Sequence, residues 1–228
     1  FTSVETLAVS DNLDTTGDDF DLGYLTGITT VALQSGVTGA QVIDGFDSGD
    51  TLALTAAVGA GITAKVNSST TGATDVLNIS LTEGADTDYN TLTIANVETI
   101  NINVTEDTTG GNVLSRTNTV GLSISQTAAA AGGSGAAQSV VITGSEDIVI
   151  DTTIAVATID ASGMSARLAT TPGLVMTGAA HSKAQTITGS SGADTLVAST
   201  KADTISGGAG NDTITGGTGA DSIDGGTG

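Results

Sequence analysis

Residues 189–228 read, set in nines, GSSGADTLV, ASTKADTIS, GGAGNDTIT, GGTGADSID and a truncated GGTG. Aspartate returns at Asp194, Asp203, Asp212 and Asp221, and a large aliphatic follows two residues later at Leu196, Ile205, Ile214 and Ile223. A Gly-rich half such as Gly207-Gly208-Ala209-Gly210 can take the positive backbone dihedrals of a tight turn, while Asp-Thr-Ile-Thr alternates as a short strand with only its aliphatic facing inward. One nonamer is then half a coil, and two complete it, which stacks Asp194 over Asp212 and Asp203 over Asp221. A column of carboxylates at a strand spacing of roughly 4.8 Å repels itself unless a cation sits between the rungs. Hard carboxylate and carbonyl oxygens in a loose cage suit calcium better than magnesium, and the chain has no cysteine and one histidine to offer zinc. The competing reading is a β-solenoid stacked without metal.

The block resembles the RTX nonapeptide, G-G-x-G-x-D-x-U-x, and the resemblance implies a calcium-bound parallel β-roll. Carried over position by position, it implies as ligands the carboxylates of Asp194, Asp203, Asp212 and Asp221. Backbone carbonyls of Gly189, Gly207, Gly208, Gly210, Gly216, Gly217 and Gly219 would complete the set. The second copy departs from the pattern, because Ala198-Ser199-Thr200-Lys201 lacks every glycine and sets an ammonium where the turn should approach the ion. Asp212 is therefore expected to matter more to binding than Asp203.

Charge extends the argument to the whole chain. Five Lys and Arg against 25 Asp and Glu in 228 residues give a net charge of -20, which argues against nucleic acid and anionic membrane as partners and for cations. Only 13% of residues are charged and mean hydropathy is positive, so this is not a disordered acidic tail. The remainder, rich in Thr, Ser, Gly, Ala, Val, Ile and Leu, suits many short strands with frequent turns. Without cysteine a secreted chain needs another staple, and calcium can serve. No apolar run approaches a membrane span and no signal peptide is recognisable. A start at Phe1 and a stop within the last repeat read as a segment of a longer polypeptide.

Residues 1–126 hold short apolar runs separated by Gly, Asn and Asp, which predict a β-rich region, solenoid-like or sandwich-like, with few helices. Two stretches share a V-E-T-aliphatic pattern, Val4-Glu5-Thr6-Leu7 and Val97-Glu98-Thr99-Ile100, and the extra residue after each Val predicts a bulge or corner. Glu5 and Glu98 are either corner residues or additional calcium ligands. Two acidic loops are further calcium candidates: residues 11–21, DNLDTTGDDFD, through Asp11, Asp14, Asp18, Asp19 and Asp21, and residues 44–50, DGFDSGD, through Asp44, Asp47 and Asp50. The first fails the EF-hand spacing, having no glutamate at its twelfth position, and the competing reading of both is a solvated turn. The run 127–138, TAAAAGGSGAAQ, reads as a flexible loop or linker and a soft domain boundary. Beyond it, 139–228 reads as a β-solenoid whose irregular coils tighten into the nines.

The V-E-T-L strands, the Ile159-Asp160-Ala161-Ser162-Gly163-Met164 turn and the late RTX block together resemble the secreted RTX surface-layer proteins of Gram-negative bacteria, the Caulobacter type being closest in style. That resemblance implies type I export and a calcium-organised lattice of copies of this chain on the cell surface. It also implies cell-surface polysaccharide as a partner of a region outside this segment, and no membrane insertion. Catalysis is not expected: His181 stands alone in a loop-like stretch, and aromatics at 2% leave no platform for sugar rings. A calcium-rigidified stalk or binding region of a secreted RTX adhesin is the alternative.

Overall fold

The computed structural model describes residues 5–10, 19–34, 37–56, 58–67, 75–83, 87–95, 97–106, 117–125, 139–150, 156–165, 172–176 and 183–228. An inward aliphatic alternating with an outward Thr, Ser, Asn or Ala recurs in these segments, and such a period of two makes strands with one buried face. In chain order they are β1 (Thr6–Val9), β2 (Asp19–Asp21), β3 (Thr30–Leu33), β4 (Gln41–Phe46), β5 (Thr51–Leu54), β6 (Ile62–Val66), β7 (Val76–Glu83), β8 (Thr87–Ala95), β9 (Thr99–Glu106) and β10 (Thr117–Ser125). There follow β11 (Ser139–Gly144), β12 (Asp147–Ile150), β13 (Thr158–Met164), β14 (Pro172–Met176), β15 (Thr186–Thr188), β16 (Ala193–Val197), β17 (Thr204–Ser206), β18 (Thr213–Thr215) and β19 (Ser222–Asp224). The one helical element among the described residues is a 3-10 turn at Leu22–Tyr24.

Odd-numbered strands form a 10-stranded sheet and even-numbered strands a 9-stranded one, every pairing parallel and each strand lying beside the strand two places on. The chain therefore steps between sheets at every turn. That is a two-sheet solenoid, and it decides against a sandwich for the N-terminal half. Both sheets pass without interruption from the 1–126 region into 139–228, since β9 pairs with β11 and β10 with β12. The low-complexity run 127–138 lies outside the described residues, as does His181.

Register stacks like on like. Leu7, Val31, Leu52, Ile79, Ile102 and Ile142 follow one another up the first sheet. A second file runs Ile100, Val140, Ile159, Ile187, Ile205 and Ile223. Facing them from the other sheet are Ile43, Ile62, Leu92, Ile94, Ile148, Leu174 and Leu196, and these seven join the buried members of both files in one continuous core, with Leu7 packed against it and Ile223 left half exposed. Each fully buried Leu or Ile contributes about 1.5–3 kcal/mol of transfer free energy, so the core is the main source of stability. On the outer face the files are polar: Asn101 Nδ2 donates to Asn78 Oδ1 at 2.9 Å, and the Thr82 and Thr105 hydroxyls lie 3.0 Å apart.

Coil length varies while the strands stay paired, with bulges that shift register between Asp44 and Phe46, Thr119 and Gly121, Val141 and Thr143, and Pro172 and Val175. Stacked partners are 18 residues apart at Asp194 and Asp212, 21 at Asp44 and Lys65, 23 at Asn78 and Asn101, and 40 at Asn103 and Thr143. The V-E-T pattern is a corner onto the first sheet: Val97 and Ile100 are both buried, and Glu98 Oε2 accepts the Asp75 amide at 2.8 Å. At the matching corner the Glu5 carbonyl accepts the amides of Thr29 and Thr30. Gly144, at the end of β11, has φ +125, and a Cβ there would overlap the Val104 carbonyl. Gly144→Ala is expected to destabilise the chain by about 2–4 kcal/mol, read as a lower urea midpoint at unchanged slope.

Candidate metal centre

Residues 185–228 form the most regular coils, with Thr195 over Thr213 and Leu196 over Ile214 on one sheet and Thr204 over Ser222 and Ile205 over Ile223 on the other. These registers bring Asp212 onto Asp194 and Asp221 onto Asp203, as the nines predict. Direct bonds tie each pair: the Asp194 amide donates to Asp212 Oδ1 at 2.9 Å, and the Asp203 amide to Asp221 Oδ1 at 3.0 Å. Each carboxylate thus reaches back to the backbone of the coil beneath it.

Glycines shape the turns. Gly208 and Gly210 have φ of +98 and +113, and Gly217 and Gly219 have +89 and +144, conformations closed to most L-residues. Gly207 has a different reason to be glycine, since a Cβ there would run into Asp212 Oδ2 and the Gly225 carbonyl. Gly189 and Gly216 press in the same way on Asp194 and Asp221. Gly208 O also accepts the Thr227 amide at 2.9 Å, leaving its second lone pair.

Asp212 Oδ2 is buried and has no hydrogen-bond partner among the described residues. A buried carboxylate oxygen without a donor is costly, and a cation is the usual remedy. Beside it lies an open cleft of about 470 Å³, lined by residues 210–214 and by Gly225, Gly226 and Gly228. Orphaned oxygen, glycine turns and carbonyl-rich lining fit a hard dication. Nowhere among the described residues do three acidic side chains converge, so backbone carbonyls have to complete any such cage.

Asp194 and Asp203 differ from Asp212. Asp194 Oδ1 accepts the Leu174 amide at 2.6 Å and the Ser190 hydroxyl at 2.7 Å, and its Oδ2 accepts the Ser190 amide at 2.6 Å. Asp203 accepts the Gln185 amide at 2.7 Å, the Ser199 amide at 3.0 Å and the Ser199 hydroxyl at 2.8 Å. Burial pushes the Asp194 pKa up, opposed by these donors and reinforced by Asp212. Lys201, the ammonium of the second copy, is exposed. Sequence reading passed over Ser190 and Ser199, although their place at the second glycine position of the motif was the available signal.

The other carboxylate candidates lie elsewhere. Asp11, Asp14 and Asp18 fall outside the described residues, as does the side chain of Asp19 in β2. Asp21 caps the 3-10 turn, its Oδ1 accepting the Gly23 amide at 2.8 Å, and register puts it beside Asp44. Asp44 in turn pairs with Lys65 at 3.4 Å. Asp50 closes its own turn by accepting the Asp47 amide at 2.8 Å, and burial raises its pKa.

One further acid stands near the column. Asp147, at the start of β12, is buried, and desolvation with the neighbouring charges of Glu146 and Asp194 pushes its pKa up to about 7. A carboxyl whose folded pKa exceeds its unfolded value opposes folding as it ionises, so stability falls as pH rises from about 4 to about 7. In chelator, Asp147→Asn is expected to raise stability at pH 7.5 by on the order of a few kcal/mol and to leave it little changed at pH 4. Urea melts at the two pH values check this.

Residues 197–228 match the family model described as the RTX calcium-binding nonapeptide repeat (4 copies). The roll is a calcium-binding element. Repeats of this kind bind several calcium ions and are typical of secreted proteins. No curated protein matches the chain. Among the described residues no helix is long and apolar enough to cross a membrane.

Proposed function

We propose that this chain is a structural protein, a segment of a bacterial surface layer that assembles with copies of itself in calcium, and not an enzyme. The observation that carries this reading is the pair of uninterrupted parallel sheets, whose outward files of Thr, Ser and Asn repeat at coil spacing. Such faces offer another copy the same surface many times over, which suits a lattice more than capture of one ligand in a pocket. Calcium at the glycine turns supplies positive charge to paired carboxylates, and with a net charge of -20 the chain needs such neutralisation to approach its copies. Nucleic acid and membrane insertion have no place in this reading, and a surface polysaccharide would be held by a region beyond this segment.

The parent protein is expected to form sheets in millimolar calcium, seen by light scattering and electron microscopy, and to disperse in chelator. Replacing Asp18, Asp19 and Asp21 with Asn should reduce sheet formation while calcium-dependent folding stays intact. Normal sheets from that variant would remove the loop from the contacts. A linear stack of coils is equally suited to a rigid stalk, so a parent that stays monomeric in calcium at every concentration would favour the adhesin reading.

A further inference from the structure

The four aspartates of the roll sit in two kinds of turn. Where the motif's second position is Gly208 or Gly217, the backbone is at positive φ. Where it is Ser190 or Ser199, the backbone is not, since Asn90 is the one non-glycine residue at positive φ among those described. In each serine turn the side chain is a relay. Ser190 Oγ accepts the Gly192 amide at 3.0 Å and donates to Asp194 at 2.7 Å; Ser199 Oγ accepts the Lys201 amide at 2.9 Å and donates to Asp203 at 2.8 Å. The serine amides add a second donor to the same carboxylates. Gly173 makes room for the first relay, because a Cβ there would overlap Ser190 Oγ.

We propose that Ser190 and Ser199 close the first coil without metal, their hydroxyls and amides standing where calcium stands at Asp212, so that Asp194 and Asp203 are structural acceptors rather than calcium ligands. The physical case is one of satisfied valence. Asp194 has three protein donors and Asp203 three donor groups, all at good hydrogen-bond distance. Asp212 has one donor and a buried orphan oxygen. A carboxylate whose lone pairs already face N–H and O–H groups must lose those bonds to ligate an ion, and the orphan oxygen loses nothing. The serine coil is then a metal-independent template on which the glycine coil folds when calcium arrives, which spares a nonlocal parallel stack from nucleating on the ion.

This inference rests on the roll binding calcium, and its test separates the two. Calcium is titrated by calorimetry into the chain and into S190G/S199G. The double variant, with both relays removed, should bind more ions than the parent chain, and in chelator it should melt lower, with millimolar calcium restoring most of the difference. D194N should leave the parent's ion count unchanged. Equal counts for parent and S190G/S199G, or a lower count in D194N, would overturn the proposal. S190A/S199A supplies an arm that needs no calcium: in chelator it should melt roughly 3–10 °C below the parent. An unchanged melting point there would also overturn the proposal, whereas a parent that binds no calcium while S190A/S199A still melts low would overturn the calcium reading alone.

Discussion

Asp212→Ala is expected to weaken calcium binding roughly tenfold to a hundredfold, the loss that follows removal of a charged, partly buried oxygen donor. Asp203→Ala is expected to leave affinity within about twofold and to act on folding instead. Its carboxylate holds the amides of Gln185 and Ser199, and truncation strands both donors in a buried site at about 1–3 kcal/mol each. Titration calorimetry on the two variants, with urea melts in chelator, separates the effects. Equal losses of affinity would mean that serine and glycine turns bind alike.

Ile102→Ala is expected to cost about 2–5 kcal/mol, because Ile102 is fully buried and stands in register between Ile79 and Ile142, so the cavity it leaves has no mobile neighbour to fill it. In a stack where each coil touches only its neighbours, that loss also weakens the coupling of the coils on either side. Ile223→Ala, in the same kind of strand but 51% exposed, should cost about 1 kcal/mol or less. Thermal and urea melts of the two variants check the contrast.

What was legible in the sequence followed the strictness of the period. Gly207-Gly208-x-Gly210-x-Asp212 fixes turn, ligand and strand by position, and the stacking of Asp194 under Asp212 and of Asp203 under Asp221 came directly from it. Upstream the same two-sheet path is hidden, because the separation of stacked partners changes from 21 to 40 residues and bulges shift the register within strand pairs. Single strands such as Thr51–Leu54 show alternation without revealing which strand they pair with, so a sandwich stayed open until the parallel ladder decided it. The serine relays were illegible for another reason: a Ser in a Gly position looks like decay of a motif, and only the structure shows its bonds, from Ser190 to Asp194 and from Ser199 to Asp203.

Hydrogen exchange followed residue by residue, in chelator and then in millimolar calcium, tests the account most directly. Amides in chelator should stay protected through β9, β11, β13 and β15 and up to Thr204, which donates to the Gln185 carbonyl, whereas the amides of Asp194 and Asp203 donate to Asp212 and Asp221 and should share the fate of that coil. Those of 207–228 should exchange freely and gain protection only when calcium is added. Protection of 207–228 in chelator equal to that of the upstream coils, or loss of protection along the entire solenoid on chelation, would contradict a calcium-dependent cap on a calcium-independent stack.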